Sequence, residues 1–232
     1  DETVQKFEIK PHEDVSITFT NVQYGRLKLT KTVEGGGSVE GWQFKITDAE
    51  GTVLDGSPFA TNEDGIILTG NLLPGQYTVE ELFPEDSLYE CKSENLQTVT
   101  VKQGEIAEVS FINALRTGKV TVEKIDITGS PLAGATFRLE WSAEGSLWYP
   151  VTYSETIVRG GCSNPNLTDG SLTTGADGIL EWDGLYPGLR YRLTETKAPE
   201  GYNLLEGTAF EGELAADNLN IGLRVVNTRT YT

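Results

Sequence analysis

Three residue types with complementary chemistry, a lysine, a glutamate and an asparagine, occur twice in the same order along the 232-residue chain. The two sets are Lys31, Glu81 and Asn113, and Lys124, Glu195 and Asn227. An uncharged amine can attack the carbon of a carboxamide, while a nearby carboxyl polarises the amide and carries the proton as ammonia leaves. Each set could therefore form a lysine–asparagine amide, an isopeptide bond.

Strand periodicity predicts that all six side chains lie on apolar faces. Side chains alternate between the two faces of a strand, so residues two apart share a face. The companions are Leu27 and Leu29 for Lys31, Tyr77 and Val79 for Glu81, and Val109 and Phe111 for Asn113, with matching residues in the second set. A single lysine at a strand end usually reaches water, and a single inward glutamate often only accepts hydrogen bonds. The recurrence of all three types at matching positions favours chemistry.

Burial gives that chemistry its physical basis. An apolar environment disfavours charge, so it lowers the pKa of a lysine from about 10.4 and raises that of a glutamic acid from about 4.3. The neutral amine is then a nucleophile, and contact with the carboxamide supplies the proximity that the uncatalysed exchange lacks. The sequence predicts self-maturation, once per set, with Glu81 and Glu195 as the catalytic groups. It does not predict an enzyme that turns over a substrate.

The two sets belong to two repeats, residues 23–115 and 116–232. Phe44 follows Lys31 at the same distance at which Phe137 follows Lys124, and EDGIILTGNLLPGQY parallels ADGILEWDGLYPGLRY. Shared landmarks in one order are the signature of a duplicated structural unit. The chain therefore contains two homologous modules.

Two further segments stand outside this match. The second repeat is longer because of an insertion at about 142–175. Residues 1–22 resemble the end of a repeat, with Phe19 over Phe111 and Asn21 over Asn113. We interpret them as the C-terminal strands of a truncated preceding module.

Short alternating segments separated by turn residues predict an all-β fold. The 26 glycines and 9 prolines interrupt most windows that could form a helix. The exception is DSLYECKSEN, residues 86–95, which could form a short helix.

Composition excludes several classes of function. A net charge of -17 argues against nucleic acid or an anionic membrane as a partner. One histidine and no methionine argue against histidine-based catalysis and His-rich metal sites, and we expect no cofactor and no metal. Cys91 and Cys162 are expected to be free or buried thiols. No apolar run is long enough to span a membrane, so we expect no membrane contact here and any export signal or anchor outside this sequence.

Motifs in the second repeat resemble a known family. They are VEKID (122–126), PLAGATFRL (131–139), GLYPGLRYRLTETKAPEGY (184–202) and VVNT (225–228). They are similar to the B-type repeat of the collagen adhesin (CnaB, also called SpaA-like or prealbumin-like domains) of Gram-positive adhesins and pilins. LTKT, LLPGQYTVEEL and FIN fit in the first repeat, which departs from ETKAPEGY after Glu81.

The resemblance implies two tandem transthyretin-like, inverse-immunoglobulin Greek-key β-sandwich modules. It also implies Lys31–Asn113 and Lys124–Asn227 as the crosslinked pairs, with Glu81 and Glu195 as the catalytic carboxyls. The implied function is the stalk or repeat region of a cell-surface adhesin or pilin-like protein, extracellular and anchored to the cell wall through regions outside this chain.

An alternative function rests on the insertion. Its aromatic residues Trp148, Tyr149 and Tyr153 could form a ligand patch, since exposed aromatics often mark interaction sites. They could equally cover a small core of the insertion. The expected partners are therefore a host or matrix ligand, or neighbouring modules of the same surface protein.

Overall fold

A computed structural model describes residues 8, 10–12, 14–18 and 20–230 of the chain. Within these residues the structure consists of strands, turns and loops and has no helix. The prediction of an all-β fold is confirmed. The described part of the chain accordingly offers no apolar helix that could cross a membrane.

The first module forms a sandwich of two four-stranded sheets. Its strands are β1 (Arg26–Glu34), β2 (Gln43–Asp48), β3 (Phe59–Ala60), β4 (Ile66–Leu68), β5 (Gly75–Glu81), β6 (Tyr89–Cys91), β7 (Leu96–Val101) and β8 (Ile106–Leu115). One sheet has the order β4-β1-β8-β6 and the other has the order β3-β2-β5-β7. The first and last long strands therefore lie side by side in one sheet.

The second module repeats this plan. Its strands are β9 (Gly118–Asp126), β10 (Thr136–Ser142), β11 (Tyr149–Pro150), β12 (Thr152–Tyr153), β13 (Gly161–Cys162), β14 (Ser171–Thr173), β15 (Ile179–Leu185), β16 (Arg190–Lys197), β17 (Phe210–Glu213) and β18 (Asn220–Asn227). One sheet has the order β15-β9-β18, and the other is β11-β10-β16-β17 with β14 also paired to β10. The short strands β11 to β14 belong to the insertion, where β12 and β13 form a pair of their own.

The terminal strands of each module pair in parallel. In β1 and β8, Lys31 lies opposite Phe111, and Val33 lies opposite Asn113. The second module has the same offset, because Lys124 lies opposite Val225 and Asp126 opposite Asn227. In each module the residue that faces the asparagine lies two positions after the lysine, on the same face of the strand. The lysine and asparagine side chains are therefore diagonal neighbours.

Each sandwich has its own apolar core. The first core includes Leu27, Phe44 and Phe111, and the rings of Phe44 and Phe111 are 4.8 Å apart. The second is built around Phe137, Trp182 and Tyr191. Both cores contain apolar residues that strand alternation predicts to share a face with the lysine, glutamate or asparagine of their module.

The interpretation of residues 86–95 as a short helix is wrong. This segment contains β6, in which Tyr89 pairs with Leu115 and Cys91 with Asn113 of β8. The ring of Tyr89 also packs edge-on against Trp42 at 5.3 Å. Pairing with β8 and this aromatic contact stabilise β6. These tertiary interactions outweigh a local preference for helix.

The assignment of residues 1–22 to a truncated module stays a prediction. Phe19, one of its two landmarks, lies outside the described residues. The other, Asn21, is exposed, and the described residues before Gly25 belong to no strand.

Candidate crosslinking sites

The first module brings Lys31, Glu81 and Asn113 together between its two sheets. Lys31 and Asn113 come from β1 and β8, and Glu81 reaches them from β5 in the facing sheet. Lys31 Nζ lies 2.7 Å from Glu81 Oε1, and both side chains are fully buried. Asn113 Nδ2 donates a hydrogen bond of 2.7 Å to the same oxygen. One carboxylate oxygen therefore contacts both the amine and the carboxamide.

The second module assembles the same three residue types with different contacts. Asn227 Nδ2 lies 2.9 and 3.0 Å from the two oxygens of Glu195. Lys124 Nζ instead donates to the backbone carbonyls of Val225 at 3.1 Å and Ile125 at 3.3 Å. All three side chains are buried. Here the carbonyls of the terminal strands hold the amine, while Glu195 holds the asparagine.

Burial lowers the pKa of both lysines. For Lys31 the loss of solvent is the largest cause, and it is opposed by the close contact with the negatively charged Glu81. For Lys124 the loss of solvent is again the largest cause, opposed by the charges of Glu195 and Asp126. A lowered pKa enlarges the fraction of each amine that is neutral and therefore nucleophilic.

The carboxamide oxygens of both asparagines are buried without a hydrogen-bond partner. Asn113 Oδ1 and Asn227 Oδ1 share this property. Lys31 Nζ also makes no hydrogen bond of good geometry, although it lies close to Glu81. A buried polar atom without a partner usually costs about 1–3 kcal/mol, so such atoms tend to occur where a site has a chemical role.

An aromatic wall and two cavities border the sites. The ring centroid of Trp42 lies 4.6 Å from Lys31 Nζ. Trp42 also lines a cavity of about 490 Å³ with Tyr89 and Leu82. In the second module, Asn227 itself lines a cavity of about 520 Å³. A small product released at either site has open space close by.

Two contacts to the carboxyl groups were missed by the sequence reasoning. Cys91 Sγ lies 3.8 Å from Glu81 Oε2, and the backbone N–H of Leu205 donates to Glu195 Oε2 at 2.7 Å. Both residues are ten positions after their glutamate. This equal spacing was present in the sequence. Both cysteines are free thiols, as expected, and Cys162 lies in the second core away from these atoms.

The three predicted patch residues have separate neighbours. Trp148 is partly buried under Arg192, whose guanidinium carbon is 4.5 Å from the ring centroid. Tyr149 is half exposed and packs 5.6 Å from Trp141. Tyr153 is also half exposed and donates to Glu155 at 3.2 Å. Two tyrosines thus remain on the surface, while Trp148 helps to cover β16.

The described residues contain no cluster of three or more His, Cys, Asp or Glu side chains suited to hold a metal ion.

The chain contains two tandem β-sandwiches, and each has parallel terminal strands and a buried lysine–glutamate–asparagine set. Together these features define a protein of tandem prealbumin-like modules. The sequence matches the family model described as SpaA, prealbumin-like fold domain, over residues 25–115 and again over 118–229. These matches span most of the chain, so the chain belongs to this family. The predicted family and fold are confirmed.

Solved structures share the fold. The Bacillus anthracis TIE protein is similar with a TM-score of 0.65 and 23% identity, over 90% of this chain and 34% of that one. A C-terminal fragment of the pilus adhesin SpaC from Lactobacillus rhamnosus GG has a TM-score of 0.51 and 15% identity, over 90% of this chain and 99% of the fragment. The chain spans about a third of the TIE structure. No curated protein sequence matches the chain significantly.

Proposed function

We propose that this chain is a force-bearing structural segment of a Gram-positive cell-surface adhesin or pilin-like protein. Its modules crosslink themselves once, through Lys31–Asn113 and Lys124–Asn227, and catalyse no other reaction. One observation carries the proposal. In both modules a buried lysine and a buried asparagine lie diagonally on parallel terminal strands, and a buried glutamate contacts the asparagine from the facing sheet.

The reaction uses only groups that are present. Lysine Nζ attacks Cγ of the asparagine, forming the new C–N bond, and the bond from Cγ to Nδ2 breaks. The glutamate carboxyl takes a proton from the attacking nitrogen and passes it to the departing one, which leaves as ammonia. The lowered pKa of both lysines favours the neutral amine that the attack needs. The cavity beside Asn227 offers the ammonia an exit.

The position of the bond suits a stalk. A pulling force that enters the first module at Arg26 runs along β1 to Lys31, crosses to Asn113 and leaves at Leu115. Every strand between β1 and β8 lies inside the closed loop and carries no load. A covalent bond at this point replaces the row of hydrogen bonds that would otherwise have to resist shear between β1 and β8.

Crosslinking also stabilises each module. The bonds close loops of 82 residues, from 31 to 113, and 103 residues, from 124 to 227. The chain-entropy relation gives about 4–5 kcal/mol for closure of loops of this length. Each reaction further replaces a buried amine, which is costly when charged, by a neutral amide.

Intact-mass spectrometry tests the proposal. The purified chain should weigh less than its calculated mass by two ammonias, and Glu81→Ala or Glu195→Ala should each restore one. Peptide mapping should then find Lys31 joined to Asn113 and Lys124 joined to Asn227. An unmodified mass for the folded wild-type chain would refute the crosslinks.

The remaining parts of the proposal concern location and partners. Membership of the family supports a place on the cell surface with neighbouring modules as partners. Anchoring to the cell wall would use regions outside this chain. Immunogold labelling of intact cells with an antibody to the folded chain tests this, since a surface protein is labelled without permeabilisation.

A second candidate function is ligand binding by the insertion. The exposed tyrosines Tyr149 and Tyr153 favour it. The double variant with both tyrosines changed to serine should then lose adhesion of coated beads to a panel of matrix proteins, while both ammonia losses persist. If the double variant adheres as well as the wild type, or if the wild type itself does not adhere, ligand binding by the insertion is refuted and only the structural role remains.

A further inference from the structure

The environment of the carboxyl group differs between the two modules at both oxygens. In the first module, Glu81 Oε1 contacts both Lys31 and Asn113, so the two reacting groups share this oxygen. The other oxygen, Oε2, has the thiol of Cys91 at 3.8 Å. In the second module, Glu195 Oε2 accepts the backbone N–H of Leu205 at 2.7 Å and also lies 3.0 Å from Asn227 Nδ2.

Cys91 reaches this oxygen because β6 is the edge strand beside β8. It lies directly opposite Asn113 in the antiparallel pairing of these strands, so it shares a sheet with both reacting residues. The thiol is also 3.1 Å from the carbonyl oxygen of Ser93. The thiol has a single proton, and the Ser93 carbonyl is its nearer acceptor, so Ser93 holds the sulfur in place and the sulfur packs against Glu81 Oε2.

We propose that Cys91 is the positioning residue of the first crosslinking site. The terminal torsion of a glutamate side chain has a broad energy well, so the carboxyl plane needs a contact at each oxygen to be held in place. The Cys91 thiol restricts Oε2 and thereby keeps Oε1 against both Lys31 and Asn113. Leu205 supplies the same restraint in the second module through a backbone N–H, which every residue except proline can provide.

This inference rests on the proposed crosslinking reaction and is tested by its rate. The chain is made by cell-free synthesis, and the loss of ammonia is followed with time by intact mass and by the Lys31–Asn113 peptide. Cys91→Ala should slow formation of the first crosslink by about five- to tenfold, the rate equivalent of about 1–1.4 kcal/mol of lost restraint. The second crosslink should form at the wild-type rate in the same molecules.

Three variants separate positioning from packing. Cys91→Ser should recover most of the rate, because a hydroxyl can restrain the same oxygen. Cys162→Ala removes the other thiol, in the second core, and should leave the first crosslink unaffected. In the uncrosslinkable Glu81→Gln background, Cys91→Ala and Cys91→Ser should have the same melting temperature, which excludes a difference in stability as the cause.

The outcomes are distinct. If Cys91→Ala forms the first crosslink as fast as the wild type, Cys91 does not position Glu81 and the inference is overturned, while the crosslinking proposal stands. A rate lowered equally by alanine and serine also overturns it. If the wild-type chain itself loses no ammonia from the first module, the proposed function fails and this inference fails with it.

Discussion

Replacing Glu81 by glutamine gives the most direct measure of what the first crosslink contributes. Glu81 is fully buried, contacts the lysine and the asparagine with one oxygen, and has an adjacent matched control in Glu80. Glutamine keeps the size of the side chain but cannot accept a proton from the attacking amine. We therefore expect Glu81→Gln to fold without forming the Lys31–Asn113 bond.

The size of the effect follows from the loop that stays open. Closing a loop of 82 residues contributes about 4.5 kcal/mol in the chain-entropy relation. A module of this length unfolds with an entropy of about 0.2 kcal/mol per kelvin, so the loss corresponds to a fall in melting temperature of about 20 °C. The variant also leaves the Lys31 amine buried without its carboxylate, which adds to the destabilisation.

Differential scanning calorimetry and intact mass measure the two consequences together. The transition of the first module should move down by about 20 °C, the transition of the second should stay, and the mass should rise by one ammonia, corrected for the substitution. Glu80→Gln is the control, because Glu80 lies on the outer face of β5, partly exposed and paired with Lys45. It should retain both ammonia losses and nearly the wild-type melting temperature.

Two results would refute this reasoning. Glu81→Gln could lose both ammonias as the wild type does, which would remove Glu81 from the reaction. Alternatively, Glu80→Gln could behave like Glu81→Gln, which would mean that loss of a negative charge on β5, and not loss of the inward carboxyl, is responsible.

Three further predictions test other links in the argument. The unfolding free energy of Asn227→Ala, measured by denaturant titration, should rise as the pH increases from the lowered pKa of Lys124 toward 10.5. The reason is that Lys124 binds more protons in the unfolded chain than in the folded chain within this pH window. The crosslinked wild type should lack this added rise, because an amide does not titrate. In single-molecule pulling, Asn113→Ala and Asn227→Ala should release about 290 Å and about 360 Å of additional chain, the extended lengths of the freed loops, which the wild type keeps closed. Ile157→Asp should broaden the distribution of distances between the modules in small-angle X-ray scattering, while both ammonia losses persist. Ile157 of the insertion packs closely on Gly35 of the first module: a Cβ added at Gly35 would lie 2.9 Å from Ile157 Cδ1.

Strand alternation was enough to predict which side chains are buried. It chose Glu81 over Glu80, and the structure places Glu81 in the interior and Glu80 at the surface. The rule succeeds here because register in a sandwich is fixed by its apolar face, so a slip of one residue would expose the whole core side of a strand. The parallel pairing of the terminal strands was seen only in the structure.

The same reasoning could not foresee contacts that depend on the loops after the glutamates. The helix predicted for residues 86–95 missed β6, and with it the position of Cys91 opposite Asn113. In the second repeat the equivalent restraint is the backbone N–H of Leu205, which no side-chain pattern reveals. The one available signal was the equal spacing of Cys91 and Leu205 from their glutamates.

The insertion shows why its aromatic residues were ambiguous. Trp148 is covered by Arg192, whereas Tyr149 and Tyr153 remain half exposed. A different residue of the insertion, Ile157, reaches the first module and lines a cavity of about 520 Å³ with Leu115 and Arg116. Such a contact depends on how two modules are oriented across a short link, and the sequence of either module alone does not determine that orientation.

The two sites reach one arrangement by different routes, and the features that they share are those on which the proposed reaction depends. Lys31 is held against Glu81, whereas Lys124 is held by the carbonyls of Val225 and Ile125. Glu81 Oε2 has a thiol at 3.8 Å, whereas Glu195 Oε2 accepts a backbone N–H. The diagonal offset on parallel strands, the burial of the amine and the glutamate–asparagine contact are the same in both. The proposed reaction should therefore not require an ion pair between lysine and glutamate, since such a pair favours the charged amine, which cannot attack. Both modules keep three features. The amine lies in an apolar interior, the carboxamide lies diagonally across the parallel strands, and a carboxyl reaches the site from the facing sheet.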